Sequence, residues 1–322
     1  MKVIFLGTPD FAVNVLQDLH KSKHEVVAVV TQPDKPVGRG KKIKYSAVKQ
    51  YAIDNNIDVL QFKNIKAKDS INALKQLKAD CMVTAAYGQI LSQKVLDITS
   101  KGVFNVHASL LPKYRGAAPI QWAIIKGEKT TGITIMKTDI GMDTGDIILK
   151  REMPIEQTDS AEDVFNKLSK IAGDVLIKAL NLIENNEHTL IKQDESISTH
   201  YPMLKKQDGL IDFNKSASSV VNLIRGVNPW PGAYTYINNN MLKVHSASVF
   251  KPQDIQLQSK IENAKAGQVV YANKRQGLVI KCATNSVILE SVQPVGKKRM
   301  HSTAYLNGSK VQEGSFVGKK ED

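Results

Sequence analysis

A chain of 322 residues with 42% hydrophobic and 23% charged side chains is long enough for two globular domains, each with its own core. No apolar run reaches the roughly 18 residues needed to cross a bilayer, which speaks against a membrane protein. A formal net charge of +13 favours polyanionic partners, although charge alone leaves an ordinary lysine-rich surface equally open.

The charge is uneven along the chain. Residues 1–150 carry 22 basic and 13 acidic side chains, residues 151–200 carry 5 and 10, and residues 201–322 carry 17 and 8. Two basic ends flank an acidic middle, a pattern suited to one extended anion that touches both ends. The two cysteines, Cys81 and Cys282, lie in apolar strand-like runs with neither metal-ligand spacing nor a disulfide framework. A reduced, cytoplasmic setting is expected. The first residues enter a strand pattern directly, so no signal peptide is expected.

The first half alternates short apolar runs with helical patterns. Val3–Leu6 reads as a buried strand, and Phe11, Val15, Leu16 and Leu19 mark one face of a following helix. Val26–Val30, Val59–Phe62, Met82–Ala85 and Val103–Val106 are further strand candidates, separated by helical stretches near 46–54, 68–77 and 117–126. Ile133–Lys137 and Ile147–Lys150 read as a last strand pair around a Gly-rich loop. A long helix over 161–184 follows, with Ser160 as its N-cap. This order predicts an α/β, Rossmann-like, mostly parallel sheet with helices on both faces. Such sheets bind ligands beyond the carboxyl ends of their strands. A polar stretch follows. Then one short helix over 216–225 precedes strands at 241–249, 267–272, 277–282 and 286–292, which suggests a small OB-like β-barrel. The expected domains are 1–187, a linker at 188–206, and a barrel at 207–316. No exposed heptad or apolar stripe demands a dimer, so a monomer is expected.

Four segments carry candidate chemistry. Asn105-Val106-His107 lies at a strand's carboxyl end, where alternation puts the amide and the imidazole on one side. A lone Asn-x-His is usually a strand-end asparagine and a satisfied histidine. Ser109-Leu110-Leu111-Pro112, continuing to Pro119, is an irregular loop whose leucines either pack beneath it or face a ligand. Asp139 to Asp146 holds three aspartates and two glycines, but no glutamate closes it as a calcium loop. A carboxylate presented to a histidine is the better reading, and no metal is expected. Thr31 to Lys44 is long and basic, and its Arg39, Lys41, Lys42 and Lys44 are suited either to phosphates or to solvent. Gly7-Thr8-Pro9 lacks the dinucleotide glycine pattern, so NAD is not expected.

Taken in this order, Asn105, His107, Ser109-Leu110-Leu111-Pro112 and Asp143 resemble the folate-dependent formyltransferases, a likeness that spans the whole first domain. Gly7-Thr8-Pro9-Asp10-Phe11-Ala12, the Gln32–Lys42 loop and Asn228-Pro229-Trp230-Pro231 are most similar to the branch that formylates methionyl initiator tRNA. The resemblance implies transfer of a formyl group from 10-formyltetrahydrofolate to the α-amine of that tRNA, without a metal. It implies Asn105, His107 and Asp143 as catalytic residues, and Ser109, Leu110, Leu111 and Pro112 at the folate. It implies Arg39, Lys41 and Lys42 against the tRNA acceptor stem. Asn105 and a protonated His107 would donate to the tetrahedral oxyanion. Either His107 or Asp143 would be the formal base. Other amine acceptors, such as a sugar nucleotide or glycinamide ribonucleotide, formyl-folate hydrolysis, and a non-catalytic RNA-binding role are the competing readings.

Overall fold

The structure is a computed structural model and describes residues 1–37, 42–273 and 277–318. The chain divides into two compact units, Met1–Pro119 with Thr130–Pro154 and Phe165–Tyr201, and Ile120–Lys129 with Ile155–Val164 and Pro202–Asp322. The stretch expected to be a linker at 188–206 is therefore divided between them after Tyr201.

The first unit is built on a seven-stranded sheet. Its order is Ile147–Pro154, Thr130–Lys137, Val103–His107, Cys81–Ala85, Lys2–Gly7, Glu25–Thr31 and Val59–Gln61. The last five run parallel, while Thr130–Lys137 and Ile147–Pro154 are antiparallel to their neighbours. Parallel strands covered on both faces bury nearly every side chain. Accordingly, Val3 to Leu6 and Cys81 to Val83 are fully buried.

The helices follow from local chemistry. Asp10–His20 buries Phe11, Ala12, Val15, Leu16 and Leu19 at helical spacing. Ala47–Asp54 starts at Ser46, whose Oγ accepts from the Lys49 N–H. At the start of Ala161–Glu184, the Asp163 N–H reaches Ser160 Oγ at 3.3 Å and the Ser160 N–H donates to Asp163 Oδ2 at 2.9 Å. That reciprocal pair is a capping box, as the serine before the helix suggests.

The second unit is an antiparallel sheet in the order Val269–Asn273, Gly277–Lys281, Ser286–Pro294, Asn240–Phe250, Ala233–Ile237 and Val317–Gly318. Its two ends meet. Gln268 bridges Phe316, the Val269 N–H donates to the Ser315 carbonyl, and the Val317 N–H donates to the Gly267 carbonyl. The curled sheet thus joins end to end, and pairing of this kind removes the exposed edges of an open sheet. The helix Ala217–Gly226 lies against residues 120–129 of the same unit: a Cβ added at Gly226 would sit 2.6 Å from Ile125 Cγ1. Arg225 adds hydrogen bonds to the carbonyls of Glu156 and Asp159.

Both cysteines are fully buried, and burial pushes each thiol up to about 12. Thiols held so far from ionisation are poor nucleophiles.

Candidate active site

The site lies at the carboxyl end of the strand Val103–His107, in the first unit. Sheet register pairs Asn105 with Thr84 on the neighbouring parallel strand. Paired residues share a face, so the Thr84 hydroxyl donates to Asn105 Oδ1 at 2.9 Å. This contact orients the amide and turns Nδ2 toward Asp143, with Nδ2 3.4 Å from Oδ1.

His107 ends the strand and is buried. Its Nε2 lies 2.9 Å from the carbonyl of Tyr114. A carbonyl only accepts, so Nε2 carries a proton and Nδ1 is the ring atom left for chemistry. Nδ1 is 3.7 Å from Asp143 Oδ1.

Asp143 completes the triangle. The Gly116 N–H donates to its Oδ2 at 2.8 Å, so one carboxylate oxygen is held by backbone while Oδ1 faces the amide and the imidazole. Gly116 has φ +105°, and a Cβ there would lie 2.3 Å from the Tyr201 carbonyl. Only glycine fits that approach. The flanking Gly145 is equally confined, since an added Cβ would lie within bonding distance of the Lys137 carbonyl. Asp139, another acidic residue of this loop, is occupied otherwise: it accepts from the Gly141 N–H and the Thr144 hydroxyl and so ties the loop.

The loop Ser109–Pro112 follows closely after the strand that carries Asn105 and His107. Ser109 is fully buried and donates to the Lys113 carbonyl at 2.7 Å. Leu111 is fully buried against Met136 and Ile147, and Pro112 is buried after a cis peptide bond. Leu110 alone of the two leucines is half-buried. The packing role raised for these leucines therefore belongs to Leu111. Thr134 locks the loop to the sheet, donating to the Ser109 carbonyl at 2.6 Å and accepting from the Leu111 N–H at 3.2 Å.

Arg39 and Lys41 lie outside the described residues, and Lys42 pairs through its main chain with Val37 in a short antiparallel ladder. The root of this loop is fixed. Lys49 Nζ donates to Asp34 Oδ2 at 2.5 Å and to Gln61 Oε1 at 2.9 Å. Hydrogen bonds from Lys49 and then Gln61 hold the Asp34 carboxyl below its usual range.

Several residues at the site carry no motif. Thr84 reads in sequence as one more strand residue. Arg115, Gln193, Glu195 and Thr199 stand out even less, because three of them come from the polar stretch expected to be a linker. In the structure, His200–Tyr201 pairs in parallel with Arg115–Gly116, and the Thr199 hydroxyl accepts from the Tyr114 N–H at 2.8 Å. Tyr114 stacks on Tyr201 with ring centroids 5.4 Å apart. Two-residue pairings of this kind have no periodicity for sequence reasoning to find. Among the described residues, no cluster of His, Cys, Asp or Glu is arranged to hold a metal, and no helix is long and apolar enough to cross a membrane.

Comparison with known proteins finds relatives for both parts of the chain. Residues 1–180 match the formyl transferase family model, and residues 203–310 match that of the formyl transferase C-terminal domain. The methionyl-tRNA formyltransferase of Acetivibrio thermocellus is 46% identical over 319 residues, covering 99% of this chain and 100% of that protein. The methionyl-tRNA formyltransferase of Lachnospira eligens is 43% identical over the same shares. Among solved structures, WlaRD, a sugar 3N-formyl transferase determined in the presence of dTDP and 5-N-formyl-THF, superposes with a TM-score of 0.66. It is 24% identical, with 92% of this chain and 99% of that chain covered, a likeness of fold. With both parts matched in order and full-length relatives at this identity, the chain belongs to the formyl transferase family.

Proposed function

We propose that this chain transfers the formyl group of 10-formyltetrahydrofolate to the α-amine of methionyl initiator tRNA, releasing tetrahydrofolate and formylmethionyl-tRNA. The observation that carries the reading is the convergence of Asn105 Nδ2 and His107 Nδ1 on Asp143 Oδ1, at 3.4 and 3.7 Å. The choice of methionyl-tRNA as acceptor is supported by the full-length relatives that carry that name.

An α-amine has a pKa near 8, so a substantial share is already nucleophilic at neutral pH. The site has to hold that amine against the formyl carbon and stabilise the oxyanion. Asn105 Nδ2, and His107 Nδ1 when protonated, are the donors for it. Both now face Asp143 Oδ1 across long contacts, as catalytic hydrogen bonds often do before substrate tightens them. Asp143 keeps Oδ2 on the Gly116 N–H and accepts the amine's proton at Oδ1, directly or through His107; as the tetrahedral intermediate collapses, the formyl carbon–N10 bond breaks and that proton passes to N10, releasing tetrahydrofolate. Leu110, half-buried in the loop after His107, and Ile140 and Met142, exposed in the loop that carries Asp143, are apolar side chains suited to a folate ring. Ser109, Leu111 and Pro112 shape that pocket from beneath. The Arg39 loop and the basic second unit would meet the tRNA backbone. The site operates in a cytoplasmic monomer.

The test is formyl transfer from 10-formyltetrahydrofolate to charged initiator tRNA, with charged elongator methionine tRNA, glycinamide ribonucleotide and buffer as the comparison acceptors. Formylation confined to the initiator is expected. Folate turnover without a formylated tRNA would move the protein to a small amine or to hydrolysis.

A further inference from the structure

Asp143 has a positive φ of 57°, a backbone conformation that a side-chain-bearing residue rarely adopts. Something must hold it there, and the neighbouring Thr144 hydroxyl is already committed to Asp139. The carboxamide of Gln193 does. Its Nε2 donates to the Asp143 carbonyl and to the Gly145 carbonyl, both at 2.8 Å. Its Oε1 accepts from Arg115 Nε at 3.1 Å and Nη2 at 2.8 Å. Both donors and the acceptor oxygen of the amide are thus committed. Arg115 is itself buried and forked onto Glu195, with Nη1 to Oε2 at 2.9 Å and Nη2 to Oε1 at 2.7 Å. The chain of contacts Glu195–Arg115–Gln193 therefore ends on the main chain at Asp143 itself and two residues beyond it. Arg115 also immediately precedes Gly116, whose N–H holds Asp143 Oδ2.

We infer that Gln193 is a positioning residue for formyl transfer: it clamps the loop in the conformation that presents the Asp143 carboxylate to His107 and Asn105. The inference rests on the role proposed above for Asp143. Gln193 itself touches no reacting atom. Charge-assisted bonds from Arg115 keep its amide from rotating, so both hydrogens stay aimed at the loop. A displacement of about 1 Å in a catalytic group is enough to cost about 100-fold in rate.

The experiment is a double-mutant cycle in the formyl-transfer assay with Gln193→Glu, Asp143→Asn and the pair. The glutamate keeps the shape and the Arg115 contact but removes both donors to the loop. The expected result is a kcat about 10- to 100-fold lower with KM for both substrates within about twofold, and no further loss when Gln193→Glu is added to Asp143→Asn. Gln193→Met repeats the cycle without a new charge, should the glutamate variant fail to fold. A wild-type kcat in the folded Gln193 variants, with Asp143→Asn inactive, would overturn the positioning role and leave the proposed reaction standing. Additive losses in the cycle would overturn it as well, since they would make Gln193 a general support of the fold. An active Asp143→Asn protein would instead remove the role of Asp143 on which the inference rests.

Discussion

The Nε2–H of His107 is held by the Tyr114 carbonyl at 2.9 Å, so the imidazole can meet Asp143 only through Nδ1. The tautomer is thereby set by a backbone group seven residues downstream, at the turn where Tyr114 has φ 61°. The turn at Tyr114 thus leaves Nδ1 as the ring nitrogen that faces Asp143.

Thr84→Val removes the hydroxyl that holds Asn105 Oδ1 while keeping the side chain's shape. One uncharged hydrogen bond contributes about 1 kcal/mol, so kcat should fall by about fivefold with KM for tRNA unchanged. Steady-state kinetics on the purified variant check this. A wild-type kcat would show that the amide is oriented adequately without Thr84.

Leu111→Ala should destabilise the protein by about 2–5 kcal/mol, because Leu111 is fully buried against Met136 and Ile147 and would leave a cavity. Ile140→Ala should leave stability nearly unchanged, since Ile140 is 70% exposed, and should weaken folate binding instead. Urea unfolding together with folate titration separates the two effects. Equal stability losses would contradict the burial of Leu111 against Met136 and Ile147.

The Arg115–Glu195 fork has a pH signature. Hydrogen bonding to Arg115 lowers the Glu195 carboxyl from its usual range. A depressed folded-state pKa contributes stability above the unfolded value, and that contribution is lost as pH falls through the folded value. The melting temperature of Glu195→Gln should therefore lie slightly below wild type near neutrality, and the gap should close as pH falls below the ordinary glutamate range. Because Glu195 is exposed, the gap should be small and should shrink in salt. A gap that widens in acid would refute this account.

Arg39→Ala should raise KM for charged initiator tRNA and leave folate affinity intact. Affinity of the unmodified protein for tRNA should fall steeply with salt as counterions are released, and the variant should show a slope shallower by about one. Nitrocellulose filter binding over a range of salt concentrations measures both slopes. Equal slopes would take Arg39 out of contact with phosphate.

Much of the molecule was legible from residue order alone. The apolar runs at Val3–Leu6, Met82–Ala85 and Val103–Val106, and the helix face of Phe11, Val15, Leu16 and Leu19, follow from burial and period, which are local properties. Asn105, His107 and Asp143 were singled out by the resemblance to the formyltransferases, since strand alternation alone only puts the amide and the imidazole on one side. The network Thr84, Arg115, Gln193, Glu195 and Thr199 was not. Its contacts join residues as far apart as 114 and 199, and a polar side chain in a linker-like stretch shows no pattern until its partner is in place. Sequence by itself determined which chemical groups are present and which strands carry them. Only the tertiary structure decided how they are aimed, because the hydrogen-bond partners that orient an amide, a tautomer or a carboxylate come from chain segments that meet only on folding.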